Sequence, residues 1–72
     1  FFLSFYMAKI NGKDVIAEGL TLKQYLIENG YNLNIIAVER NEKMVSKEDY
    51  DNIYIMSNDI IEVVSFVGGG SC

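Results

Sequence analysis

Seventy-two residues, half of them apolar and 22% charged, make one small globular domain rather than a disordered chain. With no histidine and a single cysteine, a Cys/His zinc site, a Ser-His-Asp or Cys-His catalytic set, a Cys-ligated iron–sulfur cluster and an internal disulfide are all excluded. The net charge of −4 argues against binding nucleic acid or an anionic membrane, both of which call for basic patches, and the lack of a disulfide framework points to the cytoplasm.

Phe1-Phe2-Leu3-Ser4-Phe5-Tyr6 is almost wholly apolar, too short to span a membrane and without a signal-peptide layout. It reads as an extension ahead of a domain that begins at Met7, or as a segment that lengthens the first strand or covers an apolar patch. Ala8-Lys9-Ile10 and Lys13-Asp14-Val15-Ile16-Ala17 flank Asn11-Gly12, the strongest short-range signal for a β-hairpin, because this pair tolerates the positive φ of a type I′ turn. A helix is predicted from Leu22 to Asn29. Thr21 and Gln24 form a capping box, Leu20 and Tyr25 are spaced for a hydrophobic staple, and Leu22, Tyr25 and Leu26 share one face. Gly30 ends it.

Leu33 to Glu39 reads as the next strand, Arg40-Asn41-Glu42 as a turn and Lys43-Met44-Val45 as a short return. Ser46 is placed to cap a single helical turn through Tyr50, with Asp49 reaching back. Tyr50, Ile53, Tyr54 and Ile55 are expected over the core on an irregular segment. Asn58-Asp59 is a turn into the last strand, Ile60 to Val67. In that strand Ile61, Val63 and Val67 are expected to face the helix, and Glu62, Val64 and Phe66 the other side, because an unpaired buried carboxylate is costly. The long connection before the last strand lets it lie parallel to the first, in the centre of a mixed sheet crossed by one helix. This is an α+β fold of the β-grasp (ubiquitin-like) arrangement, over residues 7–67. Residues 68–72 form a glycine tail, Gly68-Gly69-Gly70-Ser71-Cys72, with no side chains to pack through the glycine run. Such a tail is either a plain mobile end or a thread that enters a partner's active site.

In order and spacing, Met7-Ala8-Lys9-Ile10-Asn11-Gly12-Lys13, Thr21-Leu22 through Tyr25-Leu26, Val38-Glu39-Arg40-Asn41 and Asp59 through Gly70 resemble the small ubiquitin-like sulfur carriers, in particular the ThiS family of thiamine biosynthesis. The resemblance implies that the chain is not an enzyme and that its reactive group is the main-chain carboxylate of Gly70, at the end of the tail Gly68-Gly69-Gly70. A ThiF-like adenylating enzyme would join that carboxylate to AMP from ATP. A persulfide derived from cysteine by a desulfurase would convert it to a thiocarboxylate, and thiazole synthase would accept the sulfur. No cofactor is implied as permanently bound, and ATP belongs to the adenylating partner. Ser71-Cys72 depart from the family pattern, which ends at the diglycine. They are to be removed before activation, or are artificial, or mark a related carrier that is trimmed. Cys72 lacks any nearby base or resolving thiol and reads as inert, removed or a scar.

On the outward side of the last two long strands, Ile35, Ala37, Val64 and Phe66, rimmed by Glu39, Glu62 and Arg40, suit docking of partners beside the tail. The alternatives are the small subunit of molybdopterin synthase, a trimmed carrier serving amino-acid synthesis, and a ubiquitin-like binding module whose tail has no chemistry.

Overall fold

A computed structural model describes residues 7–16 and 19–66. Strand β1 (Met7–Ile10) and β2 (Lys13–Ile16) form the hairpin, α1 (Leu22–Glu28) follows, and β3 (Ile36–Arg40), β4 (Lys43–Val45) and β5 (Ile60–Ser65) complete the sheet. Two 3₁₀ turns, Leu33–Ile35 and Lys47–Asp49, lie in the connections. The strand order is β2-β1-β5-β3-β4. β5 runs parallel to β1 and antiparallel to β3, so the last strand is the central one. This is the β-grasp arrangement.

Local chemistry explains each element. Asn11 and Gly12 take φ of 52° and 82°, the positive pair that a tight hairpin turn requires. At the start of α1, the Gln24 N–H donates to Thr21 Oγ1 at 3.1 Å and the Thr21 N–H donates to Gln24 Oε1 at 3.0 Å, closing the capping box. The other N–H groups of the first turn are used to hold the irregular segment. Leu22 N–H donates to the Ile53 carbonyl at 2.8 Å and Lys23 N–H to the Tyr50 carbonyl at 2.9 Å. At the far end, Gly30 has φ 81°, its N–H donates to Ile27 and the Tyr31 N–H donates to Leu26, the two bonds of a Schellman motif.

The helix buries Leu22 and Leu26 completely. Beneath them lie Ala8 and Ile10 of β1, Ile36 and Val38 of β3, and Ile61 and Val63 of β5, joined by Tyr50 and Ile55 from the connection. The expected phase of the last strand is therefore correct for Ile61 and Val63, and Glu62 and Val64 point outward. Val67, Ala17, the segment 1–6 and the tail 68–72 lie outside the described residues.

Four local expectations are corrected. The strand expected from Leu33 begins at Ile36, because Asn32 Oδ1 accepts from the Asn34 N–H at 3.0 Å and turns the backbone into a 3₁₀ turn first. Arg40 stays in β3 opposite Lys43, leaving Asn41-Glu42 as a two-residue turn. The Ser46 side chain makes no capping bond, so the pairing expected with Asp49 does not form. The turn closes instead through main-chain bonds, Asp49 N–H to Ser46 and Tyr50 N–H to Lys47. Tyr54 is exposed rather than over the core, because it forms an isolated bridge with Thr21 at the helix entrance.

One polar residue is buried among the described residues. Asp59 is 5% exposed and stands at the entrance to β5. Its Oδ2 accepts from the Met56 N–H at 2.8 Å and from Arg40 Nε at 3.0 Å, and its Oδ1 accepts from Asn41 Nδ2 at 3.1 Å. Asn41 in turn accepts from the Ile60 N–H through Oδ1 at 2.9 Å. Burial alone would push the Asp59 carboxyl up, but the hydrogen bonds from Met56, Asn41 and Arg40, with the Arg40 charge, outweigh it and hold it below its ordinary value.

A carboxyl whose folded pKa is lowered adds stability above its unfolded value of about 3.9 and loses it as pH falls through the folded value. Asp59→Ala should therefore cost about 2–3 kcal/mol at neutral pH, measured by urea unfolding. The gap to the unaltered chain should narrow as the pH falls below about 3.9, and a gap that stays constant to pH ~2 would contradict the assignment.

The two hairpins supply an internal comparison. Glu42 holds φ 72° at the position that Gly12 fills in the first turn. A residue with a Cβ is strained there, so Glu42→Gly should stabilise the fold by about 0.5–1 kcal/mol despite the added freedom of the unfolded chain. Loss of stability in the same urea assay would contradict this.

Candidate docking face

Helix α1 covers one side of the sheet, and among the described residues no element covers the other. On that open side the register puts residues directly opposite one another: Ala37 against Val64, Glu39 against Glu62, and Met44 against Glu39. Phe66 follows β5, and its N–H donates to the Ile35 carbonyl at 2.7 Å, which brings the ends of the β3 and β5 segments together. Phe66 is 58% exposed, Val64 54% and Met44 67%, with Ile35 also exposed. Phe66, Val64, Glu62, Ile35 and Ala37, the candidate partner-binding residues, thus share one stretch of surface. It includes a shallow hollow of about 120 Å³ lined by Ala37, Glu39, Met44, Glu62 and Val64.

Sequence reading misplaced one residue of this face and missed several. Arg40 is not on its rim. It stands opposite Ile61, which is buried, so it has the parity of the helix side, and its guanidinium is engaged by Asp59. Met44 of β4, Met7 of β1, Ile16 of β2 and Ile60 of β5 extend the apolar surface. Period-two alternation against the buried Ala8, Ile10 and Val38 would have found them, since Met7 lies opposite Ile16 and Met44 opposite Glu39.

Charge on this face is uneven. The ion pairs among the described residues are Lys9–Asp14 and Arg40–Asp59, both at 3.0 Å. Glu39 and Glu62 belong to neither, and like charges directly opposite on a sheet repel. The Lys9–Asp14 pair is exposed at both ends and contributes little to stability. A hollow of about 600 Å³ lies between the β1–β2 hairpin and α1, where Ile10, Val15, Tyr25 and Tyr31 are among its lining residues. Among the described residues no group of three or more acidic, cysteine or histidine side chains is arranged to hold a metal, and no helix is long and apolar enough to cross a membrane. The tail residues Gly68, Gly69 and Gly70 lie outside the described residues, so their approach to this face is given only by chain continuity from Phe66.

Comparison with known proteins agrees with this geometry. The ThiS family model matches residues 5–70. The chain is 40% identical to the sulfur carrier protein ThiS of Bacillus subtilis over an alignment of 70 positions that covers 89% of this chain and all of that one. It is 42% identical over 62 residues to a thiazole synthase of Magnetococcus marinus, spanning 85% of this chain and 19% of that protein. Its fold superposes with a TM-score of 0.70 on the crystal structure of the thiamine biosynthesis protein ThiS from Geobacter metallireducens, at 25% identity and covering 89% of this chain and 99% of that one. The chain belongs to the ThiS family, the sulfur carriers of thiamine biosynthesis.

Proposed function

We propose that the chain carries sulfur as a thiocarboxylate on Gly70, and that it docks through the open face of its sheet while the tail reaches the partner's reaction centre. A carboxylate at neutral pH is a poor electrophile, so it must first be activated. In this reading a ThiF-like enzyme joins the Gly70 carboxylate to AMP and releases pyrophosphate from ATP. A persulfide, whose outer sulfur comes from cysteine through a desulfurase, attacks the acyl carbon and AMP leaves. A second thiol then breaks the S–S bond of the acyl disulfide, becomes part of a new disulfide, and frees the thiocarboxylate. Thiazole synthase accepts the sulfur. No side chain of the carrier acts as acid or base, no cofactor is held permanently, and the site of action is the cytoplasm.

The observation that carries the reading is the continuity of the central strand with the glycine run. β5 is bonded on both sides within the sheet, ends beside exposed Phe66, and leads directly into Val67-Gly68-Gly69-Gly70. The family match also stops at residue 70, which supports Gly70 as the functional end and leaves Ser71-Cys72 outside the family pattern. Similarity to about a fifth of two proteins named thiazole synthase, from Magnetococcus marinus and Paramagnetospirillum magneticum, supports thiazole synthase as a partner, since a carrier-like segment and that enzyme there share one polypeptide.

Two sets of variants test this. A chain ending at Gly70 should be adenylated, read as pyrophosphate release, whereas the chain ending at Cys72 should be inert until a peptidase trims it. Gly69→Val in the Gly70-terminated chain should abolish the reaction with unfolding unchanged. Equal reaction of the Cys72-terminated chain, or a requirement for the Cys72 thiol, would instead indicate thiol-based transfer or a plain binding module. Separately, Phe66→Ala should weaken association with the adenylating enzyme by about tenfold or more, the scale of an exposed aromatic anchor. It should leave stability within about 0.5 kcal/mol, because Phe66 lies outside the core. Unchanged affinity in a titration would remove Phe66 from the docking face.

A further inference from the structure

β1 turns away before β5 ends. Their ladder pairs Lys9 with Ile60 and Ile10 with Ile61, and the Asn11 N–H donates to the Ile61 carbonyl at 2.9 Å. In a strand every second residue turns its main-chain groups to the same neighbour, so the next pair to be met on the β1 side belongs to Val63. By then the backbone of the first hairpin has already reversed through Asn11 and Gly12. The Asn11 carboxamide occupies the position that a further β1 residue would have taken. Its Oδ1 accepts from the Val63 N–H at 2.7 Å and its Nδ2 donates to the Val63 carbonyl at 3.3 Å. Nδ2 also donates to the Tyr31 hydroxyl at 3.3 Å. A carboxamide presents a donor and an acceptor side by side as a peptide does, so it closes both bonds, whereas a carboxylate supplies acceptors only. On the opposite side of the same strand, the Phe66 N–H is held by the Ile35 carbonyl.

We propose that Asn11 is a positioning residue for the carrier reaction: by clamping the main chain of Val63 it fixes the direction in which β5 presents the glycine tail to the adenylating enzyme. The proposal rests on the carrier reading above. Asn11 touches no reacting atom, and its contribution is to order the strand end during folding. Ordering that is complete before docking is not charged against the binding step. A strand end released from the clamp is held on its β3 side alone, and the part of its ordering that is left to each encounter raises KM while the chemical step stays unchanged.

Asn11→Gly retains a residue that accepts positive φ, so the turn persists while the clamp is lost. Asn11→Asp retains the turn and an acceptor for the Val63 N–H but cannot donate to the Val63 carbonyl. The experiment measures amide hydrogen exchange at Val63 in the full chain, and steady-state adenylation of the chain cut after Gly70, at a temperature where every variant is folded by circular dichroism. Exchange at Val63 should quicken from the unaltered chain to Asp to Gly. KM should rise about five- to tenfold in Asn11→Gly, the scale of one or two net hydrogen bonds, with kcat within about twofold. If Asn11→Gly does not fold, Asn11→Asp carries the test, with a smaller rise in KM expected. Unchanged exchange at Val63 in the folded variants would overturn the clamp. Faster exchange with unchanged KM would overturn its role in the reaction. Failure of the unaltered Gly70-terminated chain to react would strike the carrier reading, and the exchange measurement would still decide whether the clamp exists.

Discussion

The fold depends on a carboxylate buried at the point where its central strand begins. β5 has no hairpin partner next to it in sequence: it arrives after a long irregular connection and must enter between β1 and β3. Asp59 ties that entry to three neighbours at once. Its side chain receives Arg40 and Asn41 from the β3–β4 hairpin, as well as the Met56 main chain, while its own carbonyl accepts from the Lys9 N–H of β1 at 2.8 Å. Burying a charge is costly unless it is paired and its lone pairs are met, and both conditions hold here. A slip of β5 by one residue would break this set and turn Ile61 and Val63 outward and Glu62 inward, so the polar node and the apolar pattern select the same register.

From that fixed entry the two sides of the sheet diverge in purpose. The helix side is filled by Leu22, Leu26 and the inward residues of β1, β3 and β5. The other side keeps Val64, Phe66, Met44 and Ile60 exposed and sets Glu39 against Glu62 with no cation between them among the described ion pairs. Neither feature helps the isolated domain. Exposed apolar surface and opposed like charges are what a domain tolerates where it meets another molecule, and of these residues Val64 and Phe66 stand nearest the end of β5 from which the chain continues toward the glycine run.

Most of the fold was legible in the sequence because its signals are local and agree with one another. Asn11-Gly12, the Thr21–Gln24 capping box and Gly30 each specify a backbone shape that sequence spacing reveals, and the single acidic residue within an apolar run set the phase of β5. What escaped depends on long-range pairing. Asn32 bends the chain before β3 through its own side chain, which a run of apolar residues conceals. Arg40 reads as a surface charge until the register places it opposite buried Ile61 and beside Asp59. Asn11 was legible as a turn residue but not as a partner of Val63, 52 positions away. The candidate face was legible in Phe66, Val64, Glu62, Ile35 and Ala37, whereas Met44, Met7 and Ile16, which period-two alternation places there, were passed over because their strands are short and mix polar with apolar residues.

In the proposed function, sulfur travels on the main-chain terminus rather than on a side chain. The most direct measurement is the intact mass of the Gly70-terminated chain after incubation with the adenylating enzyme, ATP and a persulfide source. The account predicts a product heavier by the difference between one sulfur and one oxygen, with the added mass localised to Gly70 by fragmentation. A product unchanged in mass, or added sulfur located on any other residue, would contradict it.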